Sequence, residues 1–396
     1  MVKLNKKNLF IEINDENLLI AVGEHDDELN FKIIDKEKIS PSGFKNGKVI
    51  NLDASIDKLK KTINKIENRS NLLFSDANVI INQTDLNCVN VSGFKKLNGN
   101  QILSEDISYI LNDVKSKLVE SEKYKTIIHL FNTKYLLDNK PIKNLPIGLY
   151  GDSYSHQLTF FLIKDNELKN LKTIFNRCNL SLNKIILKSF TEGIKIIKKN
   201  KIDTFIKIEI NENDSNLIFF SESAFCYFQK FNFGSDMILK DISKVCSLEI
   251  SKVRNIISEN NFVVSSENMY VDKKYFDEKN FRKISFKHIT EISSARIEEI
   301  ANIIFNKNKN LNYLKNIDAP FYLDFKDKNT LKNFKSIIKN HFNEPKLNFD
   351  ESIDEDPFES IKIFGDLLFK GWIKEAIPVV SKKKSWISRI FSGLFE

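Results

Sequence analysis

The sequence predicts an α/β fold, and three features support this prediction. Leu9–Val22 places two runs of β-branched or aromatic residues around a polar Asn-Asp-Glu-Asn turn, which is typical of a β-hairpin. Phe205–Phe220, about half the chain later, repeats this pattern, and both segments contain Ile-x-Ile-Glu-Ile-Asn or a close variant of it. Helix-like and strand-like segments alternate around the hairpins. With 396 residues, 41% of them hydrophobic, the chain has enough length for roughly two to three domains.

The segments between and after the hairpins are assigned from the spacing of their apolar residues. Helical spacing, with apolar residues three or four positions apart, predicts helices at Ala54–Ile66, from Ser104 onward, and at Asn166–Arg177, Ile238–Ser247, Ile250–Glu259, Ile289–Phe305, Thr330–Phe342 and Phe358–Phe369. Alternation or short apolar runs predict strands within Ala77–Val91 and at Thr126–Phe131, Leu158–Ile163, Lys184–Leu187 and Phe321–Phe325. The repeated hairpin suggests two related halves that each open with such a hairpin.

Composition excludes several classes of function. The chain has 12 glycines, well below the roughly 7% that is ordinary, and neither common glycine-rich phosphate motif can be assembled. Its four cysteines and five histidines are scattered, so no metal site is predicted. There is no signal peptide and no apolar stretch near the ~18 residues of a membrane span, so we expect a cytoplasmic body. The net charge of +8 is spread along the chain without basic–aromatic interleaving, so nucleic acid is not an expected partner.

The C-terminal segment 384–396 predicts a membrane-binding amphipathic helix. At about 100° per residue, one half of the helix carries only apolar side chains: Trp386, Ile387, Ile390, Phe391, Leu394 and Phe395. Lys382, Lys383, Lys384 and Arg389 supply cations at its border. Such a helix lies in the interface of an anionic leaflet. The competing interpretation is a helix docked on the protein's own core, but three turns are too short to be stable alone, and the lysine run favours phospholipid.

A series of motifs follows a recognisable order along the chain. They are Phe10–Glu24 with its Val-Gly-Glu end, Gly43–Gly47 followed by Asp53-Ala54, Val91–Phe94, Tyr135–Gly151, Phe231–Ser243 with Gly234 and Asp241, and Ser294–Ile300. Together with the tail, this order resembles FtsA, the actin-like family of bacterial cell-division proteins that ties the tubulin-like FtsZ ring to the membrane. The tail is the most specific part of the resemblance.

The resemblance implies a two-lobed α/β fold of the actin and heat-shock ATPase type, with an FtsA-type inserted subdomain and a C-terminal amphipathic helix. The subdomains it implies are 1–80 with 164–202, an inserted 81–163, 203–240 with 306–371, and an inserted partner-binding 241–305. A linker at 372–383 and the membrane helix at 384–396 would follow.

Departures from the family concern its nucleotide site. The family binds ATP, with Mg²⁺, through two hairpins in which an Asp precedes glycines and small hydroxyl residues. Here those positions are filled by carboxylates and asparagines: Glu12, Asn14, Asp15 and Glu16 in the first hairpin, and Glu209, Asn211, Glu212 and Asn213 in the second. Gly234 is retained, but Leu323–Asp327 has no glycine where the family has an adenosine-side Gly-Gly loop. Carboxylates repel phosphate and bulky side chains prevent close backbone approach. The hypothesis is that the chain binds ATP weakly or not at all and hydrolyses nothing.

The function implied by the resemblance is that of a non-catalytic membrane adaptor at the division septum, on the cytoplasmic side of the inner membrane. It would bind the C-terminal peptide of FtsZ through 241–305, around Arg296 and Glu299, associate with itself into filaments and help to assemble the divisome. Three alternatives are open: a PilM-like adaptor of pilus assembly, which would lack the tail; a working actin-fold enzyme such as a sugar kinase; and a nucleic-acid binder driven by the positive charge.

Overall fold

The computed structural model describes residues 6–45, 47–83, 85–262, 269–276, 281–314, 317–344, 346–349 and 356–378. Contacts divide the chain into two compact units. Unit 1 comprises Met1–Asp203, Phe220–Tyr227 and Ile353–Glu396, and unit 2 comprises Thr204–Phe219 and Phe228–Ser352, with only the described residues considered below.

Seventeen strands are found in the described residues. In chain order they are β1 (Asn8–Ile13), β2 (Leu18–His25), β3 (Phe31–Ile39), β4 (Phe44–Lys45), β5 (Lys48–Val49), β6 (Asp76–Ile81), β7 (Asn87–Lys96), β8 (Lys125–Leu137), β9 (Lys140–Ile142), β10 (Ser153–Lys164), β11 (Ser181–Leu187), β12 (Phe205–Ile210), β13 (Ser215–Ser221), β14 (Ala224–Phe231), β15 (Phe321–Phe325), β16 (Leu347–Phe349) and β17 (Glu375–Pro378).

Ten α-helices accompany the strands in the same part of the chain. They are α1 (Leu52–Ser70), α2 (Ser104–Ser121), α3 (Asp165–Arg177), α4 (Lys188–Asn200), α5 (Asp236–Cys246), α6 (Ile250–Glu259), α7 (Phe286–Phe305), α8 (Lys309–Leu314), α9 (Lys328–His341) and α10 (Glu359–Lys370), with a 3₁₀ turn at Lys273–Tyr275. The alternation of the two element types confirms the predicted α/β class.

The first sheet of unit 1 has the strand order β11-β6-β1-β2-β3. The β1–β2 hairpin is antiparallel, whereas β6 runs parallel to β1 and β11 runs parallel to β6. The carboxyl ends of these three parallel strands therefore lie at one edge. Helix α1 covers part of the sheet because Ile56, Leu59 and Ile63 recur on one of its faces. Its amino end is capped by Asn51, whose side chain accepts the Ala54 N–H at 3.0 Å.

The second sheet of unit 1 contains most of segment 81–163. Its order is β17-β8-β10-β7, and β9 pairs with β8 outside this path. Helix α2 packs closely on one face, since a Cβ atom built on Gly93 of β7 would come closer than 3.0 Å to the Ile110 side chain. A buried cluster that includes Ile107, Tyr154 and Leu158 fills the space between helix and sheet.

In unit 2 the central strand is β12, within the order β14-β13-β12-β15-β16. All six residues of β12 are buried. A strand buried on both faces usually consists almost entirely of apolar residues, so Lys207 and Glu209 are unusual in β12. Helices α5, α6, α7 and α9 contact one another through α5–α6, α5–α7, α6–α9 and α7–α9 pairs.

The predicted helices overlap those of the structure, and α6 and β15 match at both ends, whereas β8 ends six residues later and β10 begins five residues earlier than predicted. Two findings differ from the predicted subdomains. Helix α10 was expected with the second half, but it contacts β1, β2, β3 and α4 of unit 1. Residues 375–378, inside the expected linker, form β17 and pair with β8. An amphipathic helix fits any apolar surface, and a four-residue strand has too short a pattern to detect, so sequence could not assign either partner.

Candidate functional site

The first hairpin places a buried carboxylate beside a lysine. Glu12, near the end of β1, is 1% exposed. Its Oε1 accepts the Asn14 amide at 2.8 Å and lies 3.1 Å from Nζ of Lys188. Lys188 also donates to the Asn14 side-chain oxygen at 3.0 Å. The three side chains therefore form a closed cluster within unit 1.

Strand order explains this cluster. Lys188 is the first residue of α4 and directly follows β11, and Glu12 is next to last in β1. Because β11, β6 and β1 are parallel neighbours, their carboxyl ends meet at one edge of the sheet. The second oxygen of Glu12, Oε2, is buried without a hydrogen bond from any described residue. Asp15 and Glu16 of the turn are exposed.

The second hairpin carries a lysine of its own. Lys207 of β12 is 2% exposed, and its Nζ lies 2.5 Å from Oε1 of Glu209 and 3.6 Å from Oδ2 of Asp324 on β15. Asp324 also pairs with Lys326. Lys207 and Glu209 are two positions apart in one strand, so their side chains point to the same face. The strand register brings Asp324 to the same place, because Glu209 lies directly opposite Asp324 in the parallel β12–β15 pair.

The turn of the second hairpin is packed against the amino end of α5. Carbonyl oxygens of Asn211 and Glu212 accept the N–H groups of Ser235 and Asp236, each at 2.9 Å. Gly234 makes this approach possible, because a Cβ there would come closer than 3.0 Å to both carbonyl oxygens. Free N–H groups at a helix amino end commonly bind phosphate. Here two of the backbone donors at this position are already bonded to the chain itself.

Side chains of the same turn are also bound. The Asn211 amide donates to Asp214 at 2.8 Å, and Glu212 pairs with Arg254 of α6 at 2.6 Å. Asn213 is exposed. On sequence alone, Glu12 and Glu209 are expected to act as bare charges that repel phosphate. The structure places a lysine beside each of them: Lys188 pairs with Glu12, and Lys207 pairs with Glu209.

Residues 323–327, predicted as a degenerate adenosine-side loop, have structural roles in unit 2. Leu323, Asp324 and Phe325 belong to β15. Asp327 caps α9, since its Oδ1 accepts the N–H groups of Asn329 and Thr330, both at 3.1 Å.

The predicted partner residues lie on α7 in a network of ion pairs. Arg296 donates to Asp241 of α5 at 2.5 Å and to Glu299 at 2.6 Å. The hydrogen bond that Arg296 donates to Asp241 raises the pKa of Arg296 above its ordinary value. This arginine therefore joins two helices, and its charge is already compensated.

A second surface near α7 has cations stacked on exposed aromatic rings. We call Tyr270, Lys273, Phe281, Arg282 and Lys283 the basic–aromatic surface. Lys283 lies 4.3 Å from the Tyr270 ring centre, and Lys273 lies 5.2 Å from that of Phe281. Tyr270 and Phe281 are both more than two-fifths exposed. The only signal for this surface in the sequence is the local mixture of Lys, Arg, Tyr and Phe, and sequence reasoning missed it, as it missed Lys188 and Lys207.

The predicted membrane residues, from Lys382 to Phe395, lie outside the described part of the chain. Of the helices that are described, none has the length and apolar character needed to cross a bilayer. In the same part of the chain, no group of three or more His, Cys, Asp or Glu side chains is placed so that it could hold a metal ion.

Comparison with known proteins shows similarity to FtsA cell-division proteins. No family model matches the chain. Curated relatives do: Cell division protein FtsA of Buchnera aphidicola subsp. Schizaphis graminum is 23% identical over 305 residues, which cover 75% of this chain and 72% of that protein. FtsA of Neisseria meningitidis is 19% identical over 301 residues, with 75% and 72% covered. FtsA of Escherichia coli is 18% identical over 313 residues, with 77% and 73% covered. The chain is an FtsA-like protein.

Solved structures support the fold of this FtsA-like protein. The PilM–PilN type IV pilus biogenesis complex contains a chain with a TM-score of 0.55 and 9% identity, covering 90% of each chain. At such low identity the likeness concerns the fold alone. The fold is thus the actin-like one that the resemblance implied, and the names of the curated relatives support a role in cell division.

Proposed function

We propose that this FtsA-like protein is a non-catalytic membrane adaptor of bacterial cell division. It would hold the FtsZ ring at the cytoplasmic face of the inner membrane and help to assemble the divisome. The observation that carries the proposal is the similarity to FtsA proteins over 75% of the chain, together with the tail sequence. The likeness to PilM is one of fold and gives no reason to prefer pilus assembly.

Absence of ATP hydrolysis is the first part of this proposal. The contacts of both hairpins support it, because the groups that would have to face phosphates are bonded within the chain. Two carbonyl groups of the second turn accept the Ser235 and Asp236 amides, and Lys188 and Lys207 are paired with Glu12 and Glu209. The test is calorimetric titration of the full chain with ATP and Mg²⁺. We expect no binding in the micromolar range; micromolar affinity or release of phosphate would contradict this part.

Membrane attachment is the second part, and it rests on the tail sequence. The test is co-sedimentation with vesicles that contain phosphatidylglycerol, comparing the full chain with a chain ending at Lys383 and with Trp386→Glu. Binding should be lost in both variants, because each removes apolar area from the face that would enter the bilayer. Equal binding of all three chains, or of none, would contradict the membrane anchor.

Binding of the acidic C-terminal peptide of FtsZ is the third part. Arg296 and Glu299 remain the residues proposed from the resemblance, but Arg296 already neutralises Asp241 and Glu299. The basic–aromatic surface also supplies cations, and Lys273 and Lys283 lie over the rings of Phe281 and Tyr270. Exposed aromatic rings and cations together suit a peptide that has both apolar and acidic side chains. We therefore include this surface in the proposed FtsZ contact.

Recruitment of FtsZ to vesicles tests the adaptor as a whole. Purified FtsZ is mixed with anionic vesicles with and without the full chain, and the vesicle-bound fraction is measured. We expect FtsZ on the vesicles only when the adaptor is present and only when FtsZ retains its C-terminal peptide. If the adaptor binds vesicles but leaves FtsZ in solution, the FtsZ part of the proposal is wrong and a different partner, as in a PilM-like adaptor, becomes the better interpretation.

A further inference from the structure

The last described element, β17, lies directly before the predicted membrane tail. It runs antiparallel to β8, with Glu375 opposite Phe131 and Pro378 opposite His129. The strand is only four residues long and contains a register shift and a proline. A proline donates no backbone hydrogen bond, so the backbone ladder of this strand is weak. Other contacts must therefore hold it in place.

A buried carboxylate provides the strongest of these contacts. Glu375 is 3% exposed; its Oε1 lies 2.6 Å from Nδ1 of His129, and its Oε2 lies 3.7 Å from Nζ of Lys184. The Leu187 N–H donates to Nε2 of His129 at 3.1 Å. Because Nε2 accepts a hydrogen bond, the ring proton is on Nδ1 and is donated to Glu375. One side chain thus binds β17 to β8 and to β11 of the first sheet.

Contacts on the approach to β17 fix the preceding residues. The Trp372 indole N–H donates to the Ser223 carbonyl at 2.7 Å, and Lys374 lies 3.4 Å from Glu222. Lys374 also lies over the ring of Tyr135, 5.4 Å from its centre. Helix α10 ends at Lys370, and Gly371, with φ of 67°, turns the chain toward these contacts. The segment from 372 to 378 is therefore bound to unit 1 along its length.

We propose that β17 is a clamp that sets the length of the tether between the body of the protein and its membrane tail. The inference rests on the proposed membrane anchor at 384–396. With β17 docked, only residues 379–383 separate the clamp from the tail, and they span at most ~18 Å when fully extended. With β17 released, the tether begins after α10 and includes residues 371–383, which span at most ~45 Å.

The docked clamp therefore holds the part of unit 1 around β17 within the reach of the short tether from the bilayer. A short tether restricts both the distance and the orientation of the body, whereas a long one leaves both free. Release of β17 adds residues 371–378 to the tether, and the tail at 384–396 keeps all of its residues. The affinity of the tail for the membrane and the distance of the body from the bilayer can therefore change independently.

Glu375→Gln in the full chain is the main test. Glutamine keeps the shape of the side chain but leaves Lys184 without its buried counter-ion. Glu120→Gln, an exposed position on α2 of the same unit, is the matched control. In solution, hydrogen exchange of peptides covering 372–378, 125–137 and 181–187 should become at least tenfold faster in Glu375→Gln, with peptides outside these strands unchanged. Exchange should remain at the wild-type rate in Glu120→Gln. An unchanged rate at β17 in Glu375→Gln would show that the carboxylate does not hold the strand.

The tether length is then measured by neutron reflectometry on a supported bilayer of phosphatidylcholine and phosphatidylglycerol. We expect the wild type and Glu120→Gln to lie within ~18 Å of the headgroups and Glu375→Gln to move outward by up to ~27 Å. If Glu375→Gln accelerates exchange throughout the chain, the variant has unfolded and cannot be used. A chain with a Gly-Ser insertion after Pro378 then replaces it. This insertion lengthens the tether directly, so it must also widen the gap between the body of the protein and the headgroups.

The outcomes separate this inference from the proposed function. A gap that stays constant when β17 is released, or when the insertion lengthens the tether, overturns the clamp while the membrane anchor stands. Failure of the wild type to bind the bilayer contradicts the anchor itself and, with it, any role of β17 in spacing.

Discussion

Glu375 and His129 are separated by 246 positions in the chain, and their side chains meet at 2.6 Å in the interior of unit 1. Neither side chain is accessible: His129 is 0% exposed and Glu375 is 3% exposed. A carboxylate at such depth has lost its hydration, so it is tolerated only because Lys184 and His129 replace the water. This contact joins the C-terminal segment to the sheet that carries β8.

The first prediction concerns the pH dependence of this contact. Burial alone raises the pKa of Glu375, but the charge of Lys184 and the hydrogen bond from His129 outweigh it and hold the pKa below 4.5. A carboxylate whose pKa is lower in the folded state stabilises the fold above its unfolded pKa, and this contribution is lost as pH falls through the folded value. At pH 7, Glu375→Gln should reduce the free energy of unfolding by about 3 kcal/mol. Urea unfolding of both chains measures the difference, which should shrink below pH 4.5; a pH-independent difference would contradict the assignment.

The second prediction concerns Lys207. Replacing it by methionine leaves Glu209 and Asp324 facing one another in the interior without the cation between them. We expect Lys207→Met to lower the free energy of unfolding by about 3–5 kcal/mol, because it removes the buried cation that pairs with both Glu209 and Asp324. Adding Glu209→Gln should recover part of this loss, since it removes one of the two repelling charges. Denaturant unfolding of the single and double variants measures the coupling energy between Lys207 and Glu209. Strictly additive losses would contradict the interaction between these two side chains.

The third prediction concerns Gly234. An alanine there would press its Cβ against the carbonyl oxygens of Asn211 and Glu212. Gly234→Ala is expected to cost about 1–3 kcal/mol, as is usual when a tightly packed site is overfilled. Asn213→Ala, at an exposed position of the neighbouring turn, is the control and should change stability by less than about 0.5 kcal/mol. Thermal unfolding of the two variants gives the comparison, and equal effects would contradict the close packing of turn and helix.

The fourth prediction separates the two candidate partner surfaces. Lys273→Glu with Lys283→Glu should weaken binding of an acidic FtsZ peptide roughly tenfold or more, because two charges change sign at exposed positions. The same pair should hardly affect stability. Arg296→Ala should instead destabilise the α5–α7 contact through loss of its bond to Asp241, and this loss should appear in unfolding experiments without any peptide. Fluorescence anisotropy with labelled peptide measures binding, and unchanged affinity in the double variant would exclude the basic–aromatic surface.

Much of the fold follows from local patterns. The helix at Ile250–Glu259 and the strand at Phe321–Phe325 are readable because apolar spacing differs between helices and strands. The two hairpins are readable for the same reason, helped by polar turn residues. Edge strands were harder to find: β3, β14, β16 and β17 were not predicted. For β3, β16 and β17 the reason is a short or alternating polar pattern, which lacks the apolar run of a buried strand.

The candidate site was predicted in part. Sequence alone named Glu12, Glu209 and the turn residues around Asn211, since these occupy positions where the family has Asp and Gly. It did not name their counter-ions. Lys188 reaches Glu12 only because β11 and β1 end at the same edge of one sheet. Lys207 and Glu209 are close in sequence, but their third partner, Asp324, is brought by the pairing of β12 with β15.

By itself, the sequence determined the alternation of helices and strands, the paired hairpins, the resemblance to FtsA and the amphipathic character of the tail. These are properties of neighbouring residues, and periodicity or motif order is sufficient to express them. Only the tertiary structure decided that α10 packs on unit 1, that β17 docks on β8, and that Lys188 and Lys184 lie beside the buried Glu12 and Glu375. Such contacts join residues far apart in the chain, and the free energy of burying a charge depends on which side chain the fold places within a few ångströms of it.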